Sequence, residues 1–186
     1  MTDLPEKVFF GDAVAGLFLR GLGQQVTPEL RSRLREAGID LDRPLLPAYP
    51  AAVFAAGVDL MARALFPDVQ SDERHYRIGL IALRGFAQGA MGEAMFEHLK
   101  LMGPERSVQR MARNLRGAMN FVEVVSRPVG PGEFELDLND VVGMPGFFRG
   151  LIEGGSQVAG RTTRVSIVRV EPPGCTLRFE GADKAP

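Results

Sequence analysis

The sequence is poor in the residues that most often carry chemistry. It has one cysteine, Cys175, two histidines, two tyrosines and no tryptophan. A single cysteine excludes an intramolecular disulfide and a thiolate zinc cluster. His75 and His98 lack the i,i+4 spacing that sets two imidazoles on one metal, so no metal site is expected. No run of about 18 uncharged apolar residues exists; the best candidate, 45–58, holds two prolines and then meets Asp59 and Arg63, which excludes a membrane span. The first residues offer neither a basic region nor an apolar core for a signal peptide, so a cytoplasmic location with Cys175 reduced is expected. Charge of one sign is also lacking. Lys and Arg number 22 against 23 Asp and Glu, a net charge of −1, so nucleic-acid binding driven by bulk charge is not expected. Lysine itself is scarce, and nearly all cations are arginine. A GC-rich coding sequence explains that bias as readily as carboxylate or phosphate recognition does.

What is present is an ordinary globular composition. The 186 residues are 45% hydrophobic and 24% charged, which suits one folded domain over 1–186 and excludes disorder as the main state. Residues 8–22 read as a short helix closed by Gly21 and Gly23. Thr27 is placed to cap a helix that starts at Pro28 and stops at Gly38. A proline-punctuated connection, 39–50, leads to a helix opened by Pro50, with Phe54, Val58, Met61 and Leu65 on one face and alanines around much of the rest. So apolar a helix is expected to be buried on most sides.

Ser71 is read as the cap of a long helical stretch over 72–101, interrupted by Gly79, Gly85, Gly89 and Gly92. Each costs about 1 kcal/mol relative to Ala inside a helix. Close helix crossings would offset that cost, or a split near Gly89 would avoid it. The stretch 105–118 places Val108, Met111, Leu115 and Met119 on one side and Arg106, Arg110 and Arg113 on the other.

After residue 119 the period changes from helical to alternating. Residues 121–125 read as a strand, 128–132 as a turn, and Phe134, Leu136 and Leu138 as one face of a second strand. Pro145 opens a helix that ends at Gly160. Val165 and Ile167 start a third strand, and Cys175, Leu177 and Phe179 mark a fourth. Residues 181–186 read as a frayed tail. The fold class is therefore α+β: an N-terminal helical bundle, 1–118, packed on a C-terminal antiparallel β-β-α-β-β sheet, 119–180. The helices centred on 54–65 and 83–99 are expected to cover the sheet.

No catalytic constellation stands out. There is no phosphate-binding glycine motif, and Ser156 lacks a nucleophile-elbow context. His98 neighbours Glu97 and sits four residues before Met102, an arrangement open to a carboxylate–His pair, to haem ligation or to a plain helix end. Methionines, phenylalanines and glycines concentrate in the helices. Thioethers adapt to irregular space, so Phe54, Val58, Met61, Phe86, Met91, Met95, Phe148 and Ile152 are candidate walls of an apolar ligand pocket between helices and sheet. A plain core is the alternative. The stripe Arg106, Arg110 and Arg113 is a candidate docking surface for a protein partner, or simply a wet helix face.

Several runs occur in an order that resembles a known set of proteins: Ala37-Gly38-Ile39-Asp40-Leu41, Tyr49-Pro50, Phe66-Pro67, Leu101-Met102-Gly103-Pro104-Glu105-Arg106, Asn114-Leu115-Arg116 and Phe148-Arg149-Gly150-Leu151-Ile152-Glu153-Gly154. Together they resemble an uncharacterised paralogous family of about 180–200 residues first recognised in myxobacteria. More distantly, helices followed by β-β-α-β-β resemble the superfamily of haem–nitric-oxide sensors, vinyl-reductase-type domains and vesicle-tethering subunits. That resemblance implies a hydrophobic pocket or a dimerising scaffold. The haem branch carries a Tyr-x-Ser-x-Arg signature that neither Tyr49 nor Tyr76 begins, so no cofactor is expected. The expected function is a non-enzymatic sensory or regulatory module that binds a small apolar ligand and acts through a partner, or a homodimer. The alternatives are a ligand-free scaffold, a haem-based gas sensor and an enzyme.

Overall fold

The computed structural model describes residues 7–102 and 104–181. The chain opens with a strand, β1 (Val8–Phe10), where the helical period predicts a helix. β1 pairs antiparallel with β2 (Ala48–Pro50), Phe9 opposite Tyr49, inside the stretch read as a plain connection. The partner lies forty residues away, and a local period carries no sign of it. The backbone reinforces the pairing: Ala51 N–H donates to the Lys7 carbonyl at 2.9 Å and Gly11 N–H to that of Pro47 at 2.8 Å.

Helix α1 (Gly11–Val14) then widens into a π-helical run, Ala15–Gly21. Helix α2 (Pro28–Glu36) is capped as expected: the Thr27 hydroxyl accepts from Leu30 N–H at 3.3 Å, and Gly38 ends the helix at φ +100°. Helix α3 (Ala51–Leu65) buries Phe54, Val58 and Met61. It is less enclosed than its composition suggests. Ala52, Ala56, Arg63 and Ala64 face water, while Ala51 and Ala62 are buried.

The long glycine-containing stretch is two helices, α4 (Ser71–Ala87) and α5 (Ala90–Lys100). Ser71 is the first helical residue, and Gln70 occupies the cap without a side-chain bond. Close approach explains the glycines. A Cβ on Gly79 would overlap the Phe147 carbonyl, one on Gly85 the Gly16 carbonyl, and one on Gly92 the Phe86 carbonyl. Helix α6 (Pro104–Ala118) follows; Leu115 and, just past the helix end, Met119 are buried, while Arg106, Arg110 and Arg113 are exposed.

Strands β3 (Val124–Gly130) and β4 (Glu133–Leu138), helix α7 (Pro145–Val158), and strands β5 (Thr163–Glu171) and β6 (Gly174–Gly181) complete the fold. The sheet is fully antiparallel, in the order β3-β4-β6-β5. β3 starts later than predicted and runs through Pro128 to Gly130; the turn itself is Pro131-Gly132, with Gly132 at φ +71°. Register sets Phe134 opposite Phe179, Leu136 opposite Leu177 and Leu138 opposite Cys175, all buried on one face. The other face is polar: Glu135 takes hydrogen bonds from Arg127 and Arg178, which hold its carboxyl below the usual carboxylate range. Residues 182–186, the rest of the expected tail, lie outside the described residues.

The apolar face of the sheet is covered differently from expectation. The crossover helix α7 lies on β5 and β6, and α6 lies against β3; α3 and α5 make no comparable approach. A crossover that is itself strongly apolar takes the β5–β6 part of that face, and α6 takes the β3 edge, which leaves no room there for α3 or α5. Helix α4 packs on the opposite side of α7 instead, through a seam of small residues. Cβ atoms on Gly146 and Gly150 of α7 would overlap the carbonyls of Asp72 and Tyr76. The seam is pinned by polar groups. The Tyr76 hydroxyl donates to Glu153 Oε1, and Glu153 Oε2 accepts from Val165 N–H at 2.9 Å. Arg149 lies over the Tyr76 ring at 3.9 Å and donates to the Val165 carbonyl at 2.9 Å. Among the described residues no helix is long and apolar enough to cross a membrane.

Candidate functional site: an apolar cavity and its cationic groove

The helices border a partly open cavity of about 60 Å³. Its floor is an aromatic cluster. Phe9 stacks on Phe54 at 3.9 Å, and Phe147 meets Phe54 edge-on at 5.8 Å. These three rings come from β1, α3 and α7, so the floor exists only because the β1–β2 pairing brings Phe9 inward. The walls are Ala82, Leu83 and Phe86 of α4, Met95, Phe96 and Leu99 of α5, Leu115 and Ala118 of α6, and Leu151 and Ile152 of α7. None of the lining residues belongs to the four-stranded sheet. The cavity thus lies among the helices rather than between helices and sheet, since α7 occupies the sheet face.

Among the described residues one polar side chain reaches this space. Asn114 of α6 lines the cavity, and its Nδ2 is buried with no hydrogen-bond partner among the described residues. An unpaired buried amide costs about 1–3 kcal/mol, a cost that an acceptor placed there would relieve. Phe86, Met95 and Asn114 also border a surface groove of about 450 Å³ between α5 and α6. Its other sides are Met91, Ala94 and His98 of α5 and Arg110, Arg113 and Gly117 of α6. Cavity and groove therefore share a wall of flexible side chains.

The structure separates the predicted pocket residues. Phe54, Phe86, Met95 and Ile152 line the cavity, Met91 lies exposed in the groove, and Val58, Met61 and Phe148 are buried in the core away from either. Phe147, not its neighbour Phe148, turns toward the cavity. Of the arginine stripe, Arg110 and Arg113 border the groove and Arg106 does not. His98 faces the groove, whereas Glu97 pairs with Lys100 at 2.6 Å in a neighbouring furrow, so the two form no catalytic pair. Met102 lies past the end of α5, its carbonyl accepting from Arg161. Phe9, Asn114 and Phe147 escape sequence reasoning. Only Asn114 leaves a trace there: it stands three residues after Met111 and four before Ala118, a lone amide in an apolar stripe.

The other perturbed groups lie elsewhere. Burial and the nearby Asp137 push the Cys175 thiol up to about 11, which suits an inert strand position. Burial, then the Glu153 hydrogen bond and charge, push Tyr76 up to about 12. Among the described residues no group of three His, Cys, Asp or Glu is placed to hold a metal ion.

The fold has solved counterparts. An oxygen-binding H-NOX domain related to soluble guanylate cyclases superposes with a TM-score of 0.69 at 15% identity, covering 93% of this chain and 95% of that one. An H-NOX protein from S. oneidensis gives 0.66 at 15% identity, with 92% and 95% covered. A third, from work on haem redox potential modulated by protein-induced porphyrin distortion, gives 0.67 at 16% identity over 93% and 95%. At such identities the likeness establishes the H-NOX-like fold alone. The arrangement here does not fit a porphyrin. About 60 Å³ is roughly two water volumes, and no imidazole lines the cavity among the described residues. No curated protein matches the chain. Residues 7–180 match the model of the family described as "Protein of unknown function (DUF2378)", and the chain belongs to that family.

Proposed function

We propose that this chain is a non-enzymatic sensory or regulatory module of the cytoplasm that binds a small apolar ligand among its helices and passes the signal to a protein partner. The observation that carries this reading is the cavity floored by Phe9, Phe54 and Phe147 and bordered, on the side it shares with the groove, by Phe86 and Met95. Its volume is small, so a ligand larger than about two waters would need side chains such as Phe86 and Met95 to repack toward the groove. Methionine and glycine-flanked helices suit such repacking. Occupancy would then displace α5 and α6, and the exposed arginines of α6 face the surroundings.

Native mass spectrometry of the chain purified from its own host tests the proposal. A retained small molecule, lost in an Ala118→Leu variant that narrows the cavity, is the expected result; retention unchanged by the variant would remove the cavity from the reading. A Soret band in the same preparation would replace the apolar ligand with haem.

A scaffold reading has one observation of its own. Arg106, Arg110 and Arg113 are exposed and form no ion pair among the described residues. Reversing the three charges is expected to abolish partner binding if that stripe is the docking surface.

A further inference from the structure

Helix α5 divides its side chains by polarity. Glu93 and Glu97, one turn apart, both border the furrow on one flank of the helix, beside Lys100. Met91, Ala94, Met95 and His98 border the groove on the other flank, and Met91 is among the exposed large apolar side chains. Across from them α6 contributes Arg110, Arg113 and Gly117. The groove therefore joins thioethers and a methyl group to two guanidinium groups, and no carboxylate lines it among the described residues, although the chain as a whole has a net charge of −1. Gly117 marks the same place independently. The glycines that α4 and α7 carry at their crossing are explained by close neighbours: a Cβ on Gly79, Gly146 or Gly150 would overlap a carbonyl. A Cβ on Gly117 would meet nothing within 4 Å among the described residues, and its φ is not left-handed. Glycine weakens a helix relative to alanine, and neither the packing of this chain nor its backbone conformation asks for one there. What it leaves is room for another backbone to come close to α6.

We propose that this groove receives an acidic amphipathic helix of a protein partner, its apolar stripe laid on Met91, Ala94 and Met95, its carboxylates against Arg110 and Arg113, and its backbone crossing α6 near Gly117. This rests on the reading of the chain as a module that acts through a partner, and adds the docking site and the partner's chemistry. An apolar groove between two helices is matched by side chains spaced i, i+3, i+4 and i+7 on a third. Methionine walls repack to fit them. The sign of the groove selects glutamate or aspartate beside that stripe, and bidentate pairing with a guanidinium fixes the register. A nucleic acid would use the arginines but set a charged backbone against Met91 and Met95.

Selection of a displayed library of random peptides, each about 16 residues or four helical turns long, on the full chain tests this. Enriched peptides are expected to carry an apolar i, i+3, i+4, i+7 stripe with acidic residues beside it, and a synthetic copy to bind the chain in solution. Met91→Glu, Gly117→Leu and the double variant Arg110→Glu/Arg113→Glu are each expected to weaken that peptide at least about tenfold. Arg106→Glu, on α6 but outside the groove, is expected to change its affinity by no more than about twofold. All these positions are exposed, so folding is not at stake. Enrichment without acidic bias, or affinity unmoved by Met91→Glu and Gly117→Leu, overturns the groove as the docking site. An equal loss in Arg106→Glu overturns it as well and moves the partner to the wider arginine stripe. Displacement of the peptide by a single-stranded oligonucleotide that binds more tightly overturns the protein helix as occupant. No enriched peptide, with a small molecule still retained in native mass spectrometry, overturns this docking site and leaves the ligand reading standing.

Discussion

Helix α4 meets two kinds of neighbour. Against α7 it packs backbone on backbone, glycine to carbonyl, with Tyr76, Glu153 and Arg149 as polar pins. Toward α5 and α6 it presents Leu83 and Phe86 across a cavity, with methionine on the far wall. The first contact leaves no volume to redistribute. The second has spare volume and side chains that change rotamer cheaply. One helix therefore carries a rigid side and an adaptable side, and the proposed ligand site lies on the adaptable one.

Substitution on each side breaks or sharpens that contrast. The largest effect is expected for Gly150→Val, whose side chain would drive into the Tyr76 carbonyl; a loss of about 3 kcal/mol or more in urea unfolding, or no soluble protein, is the expected result. The matching test across α4, Ala118→Leu at the cavity wall, is expected to change stability by no more than about 1 kcal/mol. Phe54→Ala comes next, because the ring belongs both to the core and to the cavity floor: about 3 kcal/mol in the same assay.

Tyr76→Phe removes one pin and should cost about 1.5–3 kcal/mol, the range for a hydrogen bond to a charged group. The pH dependence follows from the sign of the shift. The folded phenol titrates near 12, above the unfolded value of 10.0, so its share of stability is fully present below pH 10 and is lost as pH rises toward 12. With only two tyrosines in the chain, ultraviolet titration of a Tyr49→Phe variant should show one phenol ionising near 12. The smallest effect belongs to the groove. Arg110→Gln and Arg113→Gln should each move the unfolding midpoint by no more than about 0.5 kcal/mol, as unpaired surface positions do.

Local signals were enough for much of this architecture. Thr27 and Pro28 start α2 by capping chemistry, Phe134, Leu136 and Leu138 alternate because one face of β4 is buried, and the change of period near residue 119 separates helices from sheet. Features created by distant pairing left no such trace. Val8–Phe10 became a strand because Tyr49 and its neighbours lie alongside, and that pairing put Phe9 into the cavity floor. Crossover geometry gave the sheet face to α7, which moved the cavity away from the strands. Phe147 and Phe148 differ only in which way they turn once α7 is wedged between α4 and the sheet. The glycines of the 72–101 stretch, by contrast, announced close crossings whose partners only coordinates reveal.

The pin at Val165 has a consequence for how the molecule behaves in a crowd. β5 is an outer strand, and such a strand normally offers unsatisfied amides and carbonyls to any passing chain. At Val165 both groups are already engaged, the amide by the Glu153 carboxylate and the carbonyl by the Arg149 guanidinium. A foreign strand would have to expel two charged side chains before adding itself there. Two residues one turn apart on α7 thus act as a guard against sheet-to-sheet aggregation, protecting the rim they also fasten.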